Sequence, residues 1–467
     1  MTPANDPADI PRPLDPDSVG VSTLEADVEG PSSQIVRTGT TFDAFRHRDY
    51  SLFWSGALVS NVGSWMQMYA LSIVVYAFRK SEADLGIVNA LSGLPVLFLA
   101  LPAGALADRV DRKQLLIWSQ VAMGVLAVAL GGLYVTGHLS DASPVTALAW
   151  VSAIGLLGGI MSALTFPAWQ SMVPDLVPRE TLLNAIALNA AQFQTARLLG
   201  PLAASGLLLL GAGMGDIFFV NAASFIFVIA ALAVIRPAKH EAPAAGAKRD
   251  GAWKTLTAGL AYAAENRTVG VLILSTAMMT IFGMPYMMLL PAIADKALHG
   301  DKLLVSYLMA ANGMGAVVGA LVVASLPKDV RREPLVRYAL LAMAVLLVAF
   351  ALSRIIWLSL VFSALAGAAF LTSTSLMNTS IQSCVPNRLR GRVMALFVVS
   401  FMGLMPVSSI VFGPLGKVIG PTNAVIAGAV VLGIYALVLV ARPGLLSPQA
   451  ACDLDEGPGA PGGPGAR

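Results

Sequence analysis

Long apolar runs alternate with short polar stretches along most of the chain. They lie at about 51–78, 84–107, 114–136, 145–170, 184–211, 215–235, 268–295, 301–326, 335–354, 357–382, 393–415 and 421–441. Each is close to, or beyond, the roughly 20 residues that carry an α-helix across the hydrocarbon core of a bilayer. Backbone in that core must satisfy its own hydrogen bonds, so apolar runs of this length predict helices. The pattern predicts an all-α polytopic membrane protein with twelve transmembrane helices.

The polar stretches divide the chain. Residues 1–41 carry acids among prolines and have no apolar run, which predicts a disordered tail and excludes a signal peptide. Residues 42–50 mix Phe42, Phe45 and Tyr50 with Asp43, Arg46, Arg48 and Asp49, an amphipathic lead-in. A six-helix bundle is expected over 42–235 and another over 268–441, joined by a linker at 236–267. In that linker Trp253, Leu256 and Leu260 alternate with Lys254 and Thr257, the mark of a surface helix. The stretch 442–467, rich in Gly and Pro, reads as a second disordered tail.

Composition agrees with this pattern. Hydrophobic residues make up 56% and charged residues 12%, with a mean hydropathy of +0.73, too apolar for a soluble globular chain. Charge placement says more than the net charge of +3. Lys and Arg crowd one set of loops, among them Arg46, Arg48, Arg112, Lys113, Arg236, Lys248, Arg331, Arg332, Arg388 and Arg392. The other set holds few, such as Arg79, Lys80, Lys296 and Lys302. The positive-inside rule then puts both tails and the linker in the cytoplasm.

Signals of other chemistries are weak. The two cysteines, Cys384 and Cys452, make no disulfide framework, and the four histidines are scattered. No phosphate-cradling G-x-x-x-x-G-K-[ST] and no H-E-x-x-H occurs. The reading expects no enzyme, cofactor, metal or nucleic-acid partner, and ion-coupled or facilitated transport instead of ATP-driven transport.

Three short matches recur at an offset of about 210 residues. Gly104-Ala105-Leu106 pairs with Gly319-Ala320-Leu321, Val177-Pro178 with Val385-Pro386, and Gly200-Pro201-Leu202 with Gly413-Pro414-Leu415. A period of half the apolar region predicts two pseudo-symmetric six-helix bundles.

A block of charge at 104–113, G-A-L-A-D-R-V-D-R-K, sits between the second and third apolar runs. It resembles the signature of the major facilitator superfamily, G-x-L-a-D-r-x-G-r-k, with Asp111 in place of the glycine. The resemblance implies a latch between the two bundles. Its members here are Gly104, Asp108, Arg109 and Arg112, with Asp175 holding the position of the acid that pairs with the motif arginine. The plainer alternative is a solvated turn that only sets orientation.

Arg197 is the one ionisable group deep inside an expected span. Such an arginine costs at least ~2.5–3.5 kcal/mol on insertion scales and faces protein or water. It either binds an anionic group and relays coupling, or locks the fifth helix to amides such as Gln192 or Asn221. Just after it, Gly200 and Pro201 stand in a sequence that resembles the superfamily's antiporter motif, which implies export. In the superfamily the cavity is lined by helices 1, 4, 7 and 10; here these offer Asn61, Trp65, Gln67, Gln170, Asn378 and Gln382, with Phe166 and a methionine cluster at 278–288. They carry no carboxylate, so the substrate implied is amphipathic and neutral or anionic.

At finer grain, Asn61 to Gln67 and Ala196 to Pro201 resemble the enterobactin-exporter and macrolide-efflux branch. The function expected is a proton-linked exporter of a siderophore, secondary metabolite or macrolide-like drug, acting as a monomer in the cytoplasmic membrane. The alternatives are an importer on the same fold and a transport-silent sensor or scaffold. No buried carboxylate stands out as the proton carrier; Asp84, Asp216, Asp295, Asp108 and Asp175 are the candidates.

Overall fold

The computed structural model describes residues 42–107, 110–236, 252–327 and 330–446. Among them the secondary structure is helical throughout, with no strand. After a single turn at Asp43–Arg46 come α1 (Arg48–Arg79), α2 (Glu82–Ala107), α3 (Arg112–Val135), α4 (Pro144–Met172), α5 (Leu182–Leu209) and α6 (Met214–Val234). A short α7 (Ala252–Glu265) covers the stretch read as amphipathic. Then follow α8 (Arg267–Met278), α9 (Pro285–Lys296), α10 (Lys302–Ala324), α11 (Arg332–Leu352) and α12 (Ile356–Cys384). The last are α13 (Asn387–Val398), α14 (Met405–Ile419) and α15 (Pro421–Ala441).

Among the described residues eleven spans are long and apolar enough to cross a membrane, counting α8–α9 and α13–α14 as one each. The expected twelfth is α5. Its 28 residues suffice in length, but Asn184, Asn189, Gln192, Gln194 and Arg197 make it more polar than the rest. The chain is a multi-pass membrane protein, with eleven apolar spans among the described residues and one polar helix packed among them.

Helix α5 lies against α1 and, on its other side, against α10. Helix α2 packs on α4 and on α14. These two seams, α5–α10 and α2–α14, join the helices before α7 to those after it. Both depend on the absence of a Cβ. A Cβ on Gly86 would come within 2.9 Å of Gly413 Cα, and one on Gly313 within 2.9 Å of Leu198 Cα. In lipid, where apolar side chains gain nothing by leaving their solvent, such close backbone approach supplies much of the packing energy.

The spans α8–α9 and α13–α14 are each broken by a five-residue π turn, Met279–Gly283 and Val399–Gly403. Carbonyls freed by such a turn need another donor at membrane depth. Here each turn is supplied from the other span. Thr280 Oγ1 donates to the Phe401 carbonyl at 3.3 Å, and Ser408 Oγ donates to the Ile281 carbonyl at 2.9 Å.

The charged block also has a local logic. Asp111 caps α3, its carboxylate accepting from the Lys113 and Gln114 amides at 2.9 and 3.2 Å. That explains an acid where the superfamily signature has glycine: both residue types suit a helix start, and the acid adds an acceptor. Lys113 Nζ donates to the Ala233 and Ile235 carbonyls at 3.0 and 2.9 Å, closing the end of α6. Gly104 lies in α2, whereas Asp108 and Arg109 fall outside the described residues.

Candidate functional site

A cavity of about 330 Å³ opens among α1, α2, α3, α4 and α6 and reaches α9 and α10. Met68, Met123, Met287, Met288 and Met309 supply thioethers to its wall, and Ser64, Gln67, Asn89, Ser92, Ser162 and Asn221 supply polar groups. Among its lining residues there is no Asp, Glu, Lys or Arg. The polar side is preset: Asn221 Nδ2 donates to Gln67 Oε1 at 2.7 Å, and Ser224 Oγ donates to the Asn221 carbonyl at 2.7 Å. Flexible thioethers together with fixed amides suit an amphipathic ligand of variable shape.

The other expected lining residues are not gathered into that cavity. Asn61 Nδ2 donates to Gln192 Oε1 at 3.5 Å, and Gln192 Nε2 donates to the Trp54 carbonyl at 3.2 Å, so both tie α1 to α5. Gln170 is exposed in the last turn of α4. Gln382 is exposed near the end of α12 and donates to Asn378 Oδ1 at 2.6 Å. Phe166 is also exposed, at 39%.

Arg197 is 6% exposed. It does not bond to Gln192 or Asn221, the amides proposed from sequence; its partner is Asn312 of α10, whose Oδ1 accepts from the guanidinium. Asn312 in turn donates to Tyr286 Oη and, at 3.2 Å, to the Ser363 carbonyl. The guanidinium Cζ lies 5.7 Å from the centre of the Trp65 ring and 5.4 Å from that of Phe370. Gly200 makes this possible: a Cβ there would come within 2.9 Å of the Val62 carbonyl, forcing α1 and Trp65 away. Beyond it the Pro201 carbonyl accepts from Ser306 Oγ at 2.8 Å, and Ser306 and Ser205 are hydrogen-bonded across the same seam.

Charge pairs stand at both ends of the bundle. At one end Arg112 pairs with Asp175 at 3.2 Å, between the start of α3 and the turn after α4. At the opposite end Lys296 of α9 pairs with Glu82 of α2 at 2.7 Å. Beside it Asp295 accepts from Tyr76 Oη at 3.0 Å and faces Lys80 at 3.3 Å. Asp84, 1% exposed, is held by both nitrogens of the Arg79 fork. Sequence reasoning named Asp84 among the candidate proton carriers and did not single out Glu82. It also missed Asn312. A polar residue in the apolar run 302–324, such as Asn312, was the available signal.

Helix order, seams and an uncharged cavity between helices are the architecture of a transporter. Residues 39–453 match the family described as transmembrane secretion effector. The chain belongs to that family, within the major facilitator superfamily. It is 24% identical to the enterobactin exporter EntS of Escherichia coli O1:K1 over 397 residues, 84% of this chain and 92% of that one. Its fold resembles that of the xylose transporter XylE from E. coli in an inward open conformation, with a TM-score of 0.63, 14% identity and coverage of 83% and 96%. A bacterial homologue of the lysosomal transporter Spinster in an inward-facing and occupied conformation gives 0.57, 18%, 85% and 97%.

Proposed function

We propose that the protein exports an amphipathic small molecule across the cytoplasmic membrane by alternating access, with protons as the coupling ion. The observation that carries this reading is the cavity of about 330 Å³ lined by both thioethers and preset amides. Its size falls at the lower end of small-molecule sites. Export is favoured over import by the resemblance of the Gly200-Pro201 sequence to the antiporter motif and by the exporter among the relatives. In this reading the units 42–235 and 268–441 rock about the α5–α10 and α2–α14 seams in a monomer. The Arg112–Asp175 end, with the termini and the linker, faces the cytoplasm.

Helix position tells where to test it. A side chain added at Gly158 would enter the cavity, where the nearest atom outside its helix is Met123 Sδ at 4.0 Å. Gly158→Leu should therefore leave insertion and thermal stability near wild type and abolish efflux. The assay compares small molecules retained by cells carrying no transporter, the wild type or the variant. A Gly158→Leu protein that exports at the normal rate would remove this cavity from the path.

A further inference from the structure

Among the described residues the buried cation of Arg197 has no counter-charge. Arg197 has one acceptor, the Asn312 amide oxygen, among the described residues, and its Nε is buried without any partner. A guanidinium offers five N–H donors in a planar fork that fits two oxygens of one anionic group. The cation is instead flanked by two aromatic rings, Trp65 from α1 and Phe370 from α12. One turn earlier on the same face of α5, Phe193 is 47% exposed, with its ring 5.9 Å from that of Trp65. An aromatic path thus runs from the exposed surface of the helix to an unneutralised positive charge.

We propose that Arg197 is the receptor for an anionic oxygen, carboxylate or phenolate, carried on an aromatic body, and that its capture frees α5 from α10. This rests on the transport reading above and adds the substrate's charge and the trigger. The competition is between a neutral amide oxygen and a charged one. The Arg197–Asn312 bond is already charge-assisted on its donor side, so the anion's advantage is the added attraction of opposite charges in a buried site and a fork contact that takes two donors at once. Turning the fork to make that contact displaces Asn312. Asn312 is not stranded, because Tyr286 and the Ser363 carbonyl hold its nitrogen on its own side of the seam. Arg197 leaves with the ligand on one side, and Asn312 stays on the other. The seam then depends on Ser205, Ser306 and the Pro201 carbonyl, and a charged ligand has become a reason for the helices to part.

The test uses the full chain with Cys384 and Cys452 replaced by Ser and Ser205→Cys as a reporter buried in the seam, 3% exposed in the native residue. Benzoate is the probe, and benzamide and chloride are the controls. Benzoate should raise the rate of maleimide labelling at position 205 by about tenfold, the response to roughly 1.4 kcal/mol of differential binding. Benzamide and chloride should leave the rate unchanged, and Arg197→Met should remove the benzoate response. Asn312→Ala should give fast labelling without benzoate and little further increase with it. Should the reporter disturb folding, Ser306→Cys on α10, 0% exposed in the native residue and facing the Pro201 carbonyl, replaces it. An equal response to benzamide, a response to chloride alone, a response that survives Arg197→Met, or no response to benzoate would overturn the proposal. Export of a neutral compound by a benzoate-insensitive protein would overturn it while sparing the transport reading. A benzoate response in a protein that exports nothing would spare the proposal and sink that reading.

Discussion

Lys296 closes over Glu82 at 2.7 Å, a cation of α9 on a carboxylate of α2 whose side chain is 1% exposed. The two partners are unequal, since the lysine side chain is 44% exposed. Removing the cation leaves a buried carboxylate without its partner, whereas removing the carboxylate charge leaves a lysine that can turn to water. Lys296→Met should thus destabilise the protein by about 1–3 kcal/mol, and Glu82→Gln by less. Lys80→Met makes the control, because Lys80 and Asp295 are both largely solvated and such pairs contribute only about 0.2–1 kcal/mol. Thermal unfolding in detergent ranks the three; equal melting for all would show that burial of Glu82 does not matter.

The cap on α3 makes a second, sharper case. Asp111→Ala removes the acceptor for two amides and should cost about 1 kcal/mol, while Asp111→Gly, which restores the superfamily residue, should cost a few tenths. Melting temperatures of the two variants decide it, and an alanine variant as stable as the glycine one would refute the capping role.

At the crossed π turns, Thr280→Val and Ser408→Ala each withdraw one donor from a carbonyl of the other span. Each should cost about 0.5–1.5 kcal/mol. Because the two bonds brace the same junction, the double variant should depart from the sum of the singles, which a double-mutant cycle on unfolding measures. Strict additivity would mean that the turns are held independently.

The latch implied by the superfamily motif predicts that Asp175→Asn, and equally Asp108→Asn, lowers efflux several-fold with membrane insertion unchanged. Arg112 sits 3.2 Å from Asp175, so Arg112→Gln should give the same phenotype. Normal efflux in all three variants would reduce the charged block to an orientation signal.

The spans were legible because a bilayer demands one thing of a helix, some 20 apolar residues in a row, and eleven of the runs meet it. Arg197 was legible for the converse reason, as a charge where none is tolerated without cause. Its partner was not. Asn312 lies 115 positions away, and nothing local distinguishes it from an amide that packs within its own bundle. Burial of Glu82 and Asp84 was hidden in the same way: each sits where a span should meet water, and only Lys296 and Arg79 reaching over them make the site closed. Gln170 and Gln382, assigned by helix number, do not line the cavity among α1–α4 and α6, because lining depends on depth and rotation as well. The cap at Asp111, by contrast, was within reach of local rules, but comparison with a motif glycine drew attention to what was missing instead of what was gained.

The π turns in α8–α9 and α13–α14 carry one residue more than an α turn, so each shifts the phase of the helix that contains it. One α-helical residue subtends about 100°. Counting in steps of 3.6 from Leu272 or Ser275 therefore misplaces every side chain after Gly283. Tyr286 is turned inward to Asn312, while Met287 and Met288 face the cavity. A substitution scan along 267–296 should be read as two waves of the same period, broken at 279–283 and out of step by about one residue.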